Sequence, residues 1–359
     1  MSDVSRCVFG ALPDGTPVEA VTLRGEHGVS ARVITLGASL QSVILPDREG
    51  RLADVVLAYS SLRDYLAKPQ YFGATVGRFA NRVAKGRFTI GDTSYQLPLN
   101  DSPHSLHGGA QGFDRVAWTI VEVRCSAEPC VEMQYISPHG DQGYPGRLAV
   151  TATYTLTHRN ELVIDYRATT DRTTIVNLTN HTYWNLAGEG SGSVLGHRLR
   201  MPADRVTVLD PTRVPTGELR AVAGTPFDFR RAKPIGRDIG RDIDSSTEPL
   251  LLLGNGYDLN WVVSLNQPRR LRRVAHLEDP GSGRSFTMLS QQPGLQVYTG
   301  NFLDGSSSGK SGRAYRRHDA VSLEPQLHPD TPNHPDFGSA LLSPGQTYRN
   351  LIVYRFAVA

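Results

Sequence analysis

Apolar and polar residues alternate strictly along much of the chain, most clearly at 148–168. Leu148, Val150, Ala152, Tyr154 and Leu156 alternate with Thr151, Thr153, Thr155 and Thr157. The polar turn His158-Arg159-Asn160 follows, and Leu162, Ile164, Tyr166 and Ala168 then alternate with Asp165 and Arg167. Successive side chains of a strand point to opposite faces, so this pattern predicts an antiparallel hairpin with one buried and one wetter face. Residues 88–97 repeat it around Gly91-Asp92, a two-residue turn. Residues 29–45 read as two short strands broken at Gly37, and 285–299 as two more around Pro293-Gly294.

Helices have little room. The 35 Gly and 23 Pro leave almost no window long enough for a helical bundle. Residues 61–67 can make two turns behind a Ser61 cap, stopping before Pro69. Residues 235–243 are a second candidate, with the echo Gly236-Arg237-Asp238-Ile239 and Gly240-Arg241-Asp242-Ile243, too short for a repeat architecture. The Gly/Ser-rich stretches 187–193 and 304–312 read as surface loops, because alternation resumes after each. The expectation is an all-β chain, a sandwich or barrel, forming one domain over residues 1–359.

Lys plus Arg number 38 and Asp plus Glu 35, a balance that does not announce a nucleic-acid partner. The run Arg269-Arg270-Leu271-Arg272-Arg273 reads as a solvated turn after Pro268. Three cysteines, Cys7, Cys125 and Cys130, are too few and too odd for a disulfide framework and fit a reducing, cytoplasmic setting. A bridge between Cys125 and Cys130 across a hairpin stays open. No secretory-type apolar stretch opens the chain, and the longest aliphatic run, Leu250 to Leu253, is too short to span a bilayer. No membrane association is expected.

Five segments carry candidate chemistry. If residues 175–186 are extended, Asn177, Thr179, His181, Tyr183 and Asn185 share a face opposite Val176, Leu178, Trp184 and Leu186. Such a face suits either a cleft for a polyhydroxylated ligand or plain solvent. In Val321-Ser322-Leu323-Glu324-Pro325, Ser322 and Glu324 share a face, and Pro325 is expected to end the strand just after the carboxylate. A surface glutamate is the bland alternative. The glycines of Leu106-His107-Gly108-Gly109 are expected to let backbone approach a ligand. Gln296 and Tyr298 lie opposite Leu295 and Val297, and Gly254-Asn255-Gly256-Tyr257 turns the chain into Asp258. Phosphate-loop, dinucleotide and nucleophile-elbow motifs do not occur. His104-x-x-His107 lacks the further ligands of a metal site, so no metal is expected.

Taken in order, these pieces resemble the aldose 1-epimerase, or galactose mutarotase, family. The matching residues are Gly77-Arg78-Phe79-Ala80-Asn81-Arg82, Leu106-His107-Gly108-Gly109 and Asn180-His181-Thr182-Tyr183-Trp184-Asn185-Leu186. Gly256-Tyr257-Asp258, Gln296 within Gln-Val-Tyr-Thr-Gly-Asn, Leu323-Glu324, Pro332-Asn333-His334-Pro335 and Tyr354-Arg355-Phe356 complete the set. Pro325 departs from the small polar residue usual in the family. The resemblance implies a large antiparallel β-supersandwich with very few short helices, and cofactor-free interconversion of the α and β anomers of a monosaccharide. It implies Glu324 as base and His181 as acid, with Asn81, Arg82, His107, Tyr183, Asp258 and Gln296 holding the sugar, in a monomer or weak homodimer. Three rivals are a non-catalytic carbohydrate-binding module, a glycoside hydrolase using Asp258 and Glu324, and a phosphosugar epimerase using Arg78, Arg82 and Arg87.

Overall fold

The hairpin at 148–168 forms as strands Leu148–Leu156 and Glu161–Thr170, in unbroken register from Leu148 opposite Thr170 to Leu156 opposite Leu162. The computed structural model describes residues 3–25, 28–239, 246–264 and 270–359. The hairpin lies within a nine-stranded antiparallel sheet. Strands Cys130–Ser137 and Thr119–Arg124 extend it on one side. On the other it runs through Tyr348–Val358, Arg284–Ser290, Arg272–Glu278, Arg198–Arg200 and Lys233–Pro234. The apolar face of the alternation is buried at every second residue, as the pleat requires.

Two further sheets pack with it. A five-stranded sheet comprises Asp3–Ala11, Pro17–Arg24, Ser30–Ile34, Ser39–Pro46 and Leu52–Asp54. A six-stranded sheet orders Tyr183–Trp184, Val321–Gln326, Gly294–Tyr298, Asp258–Val262, Arg205–Leu209 and Pro215–Ala221. One apolar cluster draws on all three, through Val33 and Leu45, Ile164 and Phe286, and Trp261 and Leu323. Stacked antiparallel sheets joined through one core make this a large β-sandwich.

Several expectations need correction. The strands around Pro293 are present, but Arg284–Ser290 belongs to the nine-stranded sheet and Gly294–Tyr298 to the six-stranded one, so the connection crosses layers. Part of the 304–312 stretch is not loop: Asp304–Ser308 pairs with Ala314–Arg316. The helix Leu62–Ala67 forms behind Ser61, whose hydroxyl accepts from the Asp64 N–H. The aliphatic run at 250–253, weighed only as a membrane span, is a second short helix, Pro249–Gly254. Glu248 caps its start, and Asn255 (φ 56°) closes it in the left-handed region. Only a 3₁₀ turn, Ile235–Arg237, occupies the described part of 235–243, since residues 240–245 lie outside the described residues. Arg269 also lies outside them, while Arg272 and Arg273 begin a strand. Cys130 is opposite Arg124 in the register, not opposite Cys125. Among the described residues no helix is long and apolar enough to cross a membrane.

Arg78 joins two regions of this framework. Its guanidinium is buried and donates to the carbonyls of Pro145 (2.9 Å) and Gly146 (3.0 Å) and to the Ser137 hydroxyl. Burial draws its pKa down to about 10. This arginine therefore serves the fold. Arg78→Met is expected to leave those carbonyls without donors and to lower unfolding stability by about 2–4 kcal/mol, read from urea denaturation.

Candidate active site

The segment 174–186 is buried throughout, so the solvent-facing reading falls. It is also not one strand. Thr179–His181 pairs with Ala74–Val76, and Tyr183–Trp184 pairs with Val321–Gln326. Most of its polar side chains are occupied within the protein. Asn177 donates to the Ala80 carbonyl and accepts from the Leu327 N–H. Thr179 donates to the Pro325 carbonyl, Asn180 to Gly73, and Asn185 to Gly192 and Asp319. Buried polar groups need such partners, and these bonds hold the segment where it changes sheets. His181 and Tyr183 are left facing a pocket.

Glu324 reaches the same pocket from Val321–Gln326. The strand does not end at Pro325 as expected: it continues to Gln326, with Pro325 opposite Leu295 and Glu324 opposite Gln296. The missing N–H costs the sheet nothing, because Tyr183–Trp184 on the other flank reaches only Ser322 and Val321. Asp258 opens the strand after the Asn255 turn, and its Oδ1 accepts from Gln296 Nε2 at 2.7 Å.

His107 sits in the left-handed region (φ 52°), and its Nδ1 accepts from the Asn81 N–H at 3.2 Å. That bond leaves Nε2 to carry the proton. The glycines after it do not serve a ligand as expected: a Cβ on Gly108 would lie 1.9 Å from the Gly77 carbonyl oxygen, and one on Gly109 would meet Gln142. Gly108 allows two backbone segments to touch, and Gly109 makes room for the Gln142 side chain. Arg82 is held by Asp101 (Nε to Oδ2, 2.7 Å), and its N–H donates to Asn81 Oδ1. His104 faces elsewhere, accepting from the Lys85 N–H and meeting Thr212 Oγ1. Among the described residues no group of three or more His, Cys, Asp or Glu is set to hold a metal.

Asn81, Arg82, His107, His181, Tyr183, Asp258, Gln296 and Glu324 thus line one pocket of about 180 Å³. Its walls also include Tyr298, named with Gln296 on the candidate strand face but given no role, and Tyr71 and Phe302, which were not among the expected site residues. Tyr298 had a signal, since it shares a strand face with Gln296; Tyr71 lies in a loop and had none. Of the phosphosugar arginines only Arg82 is here. A larger concavity, about 990 Å³, lies elsewhere, and its Arg230 and Lys233 are already paired with Asp228 and Asp238.

His181 Nε2 is 3.5 Å from Glu324 Oε1. Burial, reinforced by the charge of Asp258, raises the Glu324 carboxyl well above its ordinary range. Burial also lowers His181, to about 4, and holds His107 well below its usual value. Both members of the close pair therefore disfavour charge. Glu324 Oε2 and Gln296 Oε1 are buried with no donor among the described residues, so ligand hydroxyls are suited to them.

The aldose 1-epimerase family model matches residues 19–355. The chain belongs to the aldose 1-epimerase family. The galactose mutarotase of Mus musculus is 43% identical over 360 residues, covering 100% of both chains. The aldose 1-epimerase of Escherichia coli strain K12 is 35% identical, covering 96% of each. The crystal structure of galactose 1-epimerase from Lactobacillus acidophilus superposes with a TM-score of 0.86 at 28% identity, over 100% of both chains. Family membership thus coincides with a pocket where a carboxyl and an imidazole are buried together.

That burial has a stability signature. A carboxyl raised on folding binds its proton more tightly folded than unfolded, so its contribution is full below the unfolded value and declines as pH rises through it. Glu324→Gln removes this loss while keeping the shape. Its Tm advantage over the parent protein is expected to be larger at pH 7.5 than at pH 4.5, measured by calorimetry at both.

Proposed function

We propose that this chain is an aldose 1-epimerase that interconverts the α and β anomers of a free aldose of the glucose or galactose kind. The observation that carries this reading is the 3.5 Å approach of His181 Nε2 to Glu324 Oε1 inside a pocket of about 180 Å³. The hydroxyl and the ring oxygen of an anomeric carbon are neighbours on one atom. A base and an acid this close can address both.

Glu324 takes the proton of the C1 hydroxyl while His181 gives one to the ring oxygen. The C1–ring-oxygen bond breaks and C1 becomes an aldehyde. Rotation about C1–C2 presents the other carbonyl face. On closure His181 takes back the proton from the C5 hydroxyl as its oxygen attacks C1, and Glu324 protonates the former carbonyl oxygen. Protons balance over the cycle, and the pair returns to its starting state. At the open-chain stage Glu324 is protonated and His181 neutral, the distribution that burial favours in both. Sugar hydroxyls hydrogen-bonding to the carboxylate stabilise the opposite distribution, in which the cyclic substrate reacts. Asn81, Arg82, His107, Tyr183, Asp258 and Gln296 hold the sugar, with the His107 Nε2 proton available to an oxygen.

A pocket of about 180 Å³ does not favour a glycoside hydrolase, which must seat sugar or aglycone on both sides of a scissile bond. A binding module has no use for an acid buried beside a base. We further infer one domain spanning residues 1–359, because the main apolar cluster draws on all three sheets. The monomer or weak homodimer rests on the family resemblance, and the cytoplasmic setting on the sparse cysteines.

Polarimetry on freshly dissolved α-glucose and α-galactose tests the reading. The protein is expected to hasten the approach to equilibrium rotation, and Glu324→Gln and His181→Asn are each expected to lower kcat by about 10²-fold or more. No acceleration on any common aldose defeats the proposal.

The pH profile tests the shared proton. kcat/KM is expected to fall on the acid side as His181 gains a second proton for the pair, near pH 4. The alkaline limb is expected above the usual carboxylate range, where Glu324 loses the last one. Asp258 raises Glu324 by its charge, so Asp258→Asn is expected to move that limb to lower pH, whatever it does to the plateau. An upward or absent shift contradicts the assignment.

A further inference from the structure

Tyr71 has no role in the proton transfers just described, yet its ring touches both histidines of the pocket. It is stacked on His181 (centroids 5.7 Å apart, planes 28°) and tilted on His107 (4.7 Å, 57°). Its backbone lies in the left-handed region at φ 58°, which a bulky side chain rarely adopts.

The neighbouring residues enforce that conformation. Phe72 is buried against Tyr59, Tyr183 and Tyr315, with centroids 5.1, 4.9 and 5.4 Å away. The Gly73 N–H donates to the His181 carbonyl at 3.0 Å, and the Gly73 carbonyl accepts from Leu40 and Asn180. A Cβ on Gly73 would lie 2.0 Å from the Leu40 carbonyl oxygen, so this approach is not adjustable. With Phe72 and Gly73 pinned, the left-handed turn at Tyr71 sends its ring to the histidines.

Core packing does not account for the placement. Tyr71 lines both the sugar pocket and a separate cavity of about 190 Å³ bordered by Leu36, Tyr65, Leu66 and Asp114. A ring whose purpose was to fill the core would be packed on both faces. Hydrogen bonding does not orient His181 firmly either. Its contacts with Ser322 Oγ at Nδ1 and Glu324 Oε1 at Nε2 both stand at 3.5 Å, the long limit for such bonds. Aromatic rings surround it instead, Tyr183 at 5.0 Å and 30°, His107 at 5.5 Å, Tyr71 at 5.7 Å and Tyr298 at 6.3 Å, and of the three tyrosines Tyr71 is the one set against His107 as well.

We propose that Tyr71 is a positioning residue for the acid–base pair: stacked on His181 and braced against His107, its ring aims the imidazole at the Glu324 carboxyl. The proposal rests on the epimerase reading for its catalytic consequence, but not for the geometry. Besides Tyr71, the titratable and charged groups facing or sharing the pocket with His181 are Glu324, His107, Tyr183, Tyr298, Asp258 and Arg82.

The test uses the full chain with labelled histidines and follows the His181 titration by NMR, assigned by comparison with His181→Asn. In parallel, polarimetric kinetics are measured on the parent protein, Tyr71→Phe, Tyr71→Ala and Tyr71→Leu. Loss of the ring opens His181 to water. Its midpoint is then expected to rise from about 4 toward the ordinary value by about one pH unit or more in Tyr71→Ala. kcat is expected to fall about 10- to 100-fold with KM within about threefold. Tyr71→Phe keeps the ring and is expected to stay within about twofold of the parent in kcat and to titrate alike. Tyr71→Leu fills the wall without an aromatic face and is expected to follow Tyr71→Ala, which keeps the test usable if the alanine variant does not fold. An unchanged titration and kcat in Tyr71→Leu overturn the proposal, as does a Tyr71→Phe defect equal to that of alanine. A loss confined to KM also overturns it, since that makes Tyr71 a wall for substrate only. If no parent activity is found but the titration responds as stated, the epimerase reading fails and the positioning stands.

Discussion

Placing a carboxyl and an imidazole together in a dry pocket is the constraint on which the rest of the site depends. Each alone is expensive to bury in its charged form. At 3.5 Å they can share one proton and form a neutral pair or an ion pair. The fold gives them little else: Glu324 Oε2 has no donor among the described residues. A carboxylate satisfied by fixed backbone donors would be a poor base, held too firmly in its charged state. One left under-satisfied and raised by burial can give its proton up and take it back at similar cost. The same burial lowers His181, so the two groups are tuned toward each other.

The scaffold supports this by satisfying nearly everything around the pair. Asn177, Thr179, Asn180 and Asn185 bond to backbone. The Pro325 carbonyl accepts from both Thr179 and Asn350, which fastens the Glu324 strand to the segment that carries His181. Gln296 is opposite Glu324 and donates to Asp258, whose charge in turn raises Glu324. Carboxyl, imidazole and neighbouring charge are therefore mounted on hydrogen-bonded strands, the kind of support that keeps a close geometry within a fraction of an ångström.

How far the sequence revealed this depended on whether residue type reports environment. The hairpin at 148–168 was readable in full because one face is buried and the other wet, and the alternation records that contrast residue by residue. Segment 174–186 gave a true but incomplete signal. Its polar residues are interior, and polarity alone does not separate a cleft, a solvent face and a hydrogen-bonded core. Pro325 misled because a proline usually ends a strand; here the flanking strand stops at Ser322, so no donor is missed. The helix 249–254 was hidden in an aliphatic run whose only marks were Pro249 at its start and Asn255 after it. The eight pocket residues come from segments far apart in the chain, and motif order, not local pattern, linked them.

Tyr71 lies beyond any such reading, for a physical reason. Its position follows from a left-handed backbone that local preference argues against, imposed by Phe72 in an aromatic cluster and by Gly73 against Leu40. A conformation forced by tertiary contacts leaves no trace in the residue that adopts it. Glycines at 108 and 109 teach the converse. They look like ligand-binding flexibility, yet the space a Cβ would need at Gly108 is taken by the Gly77 carbonyl. The left-handed turns at Tyr71, Asn81 and His107 all fall on residues lining the pocket. Strain of this kind persists only where surrounding structure over-determines it. At Tyr71 the surroundings are Phe72 in its aromatic cluster and Gly73 against Leu40, so the packed core and not local preference holds the ring at the pocket wall.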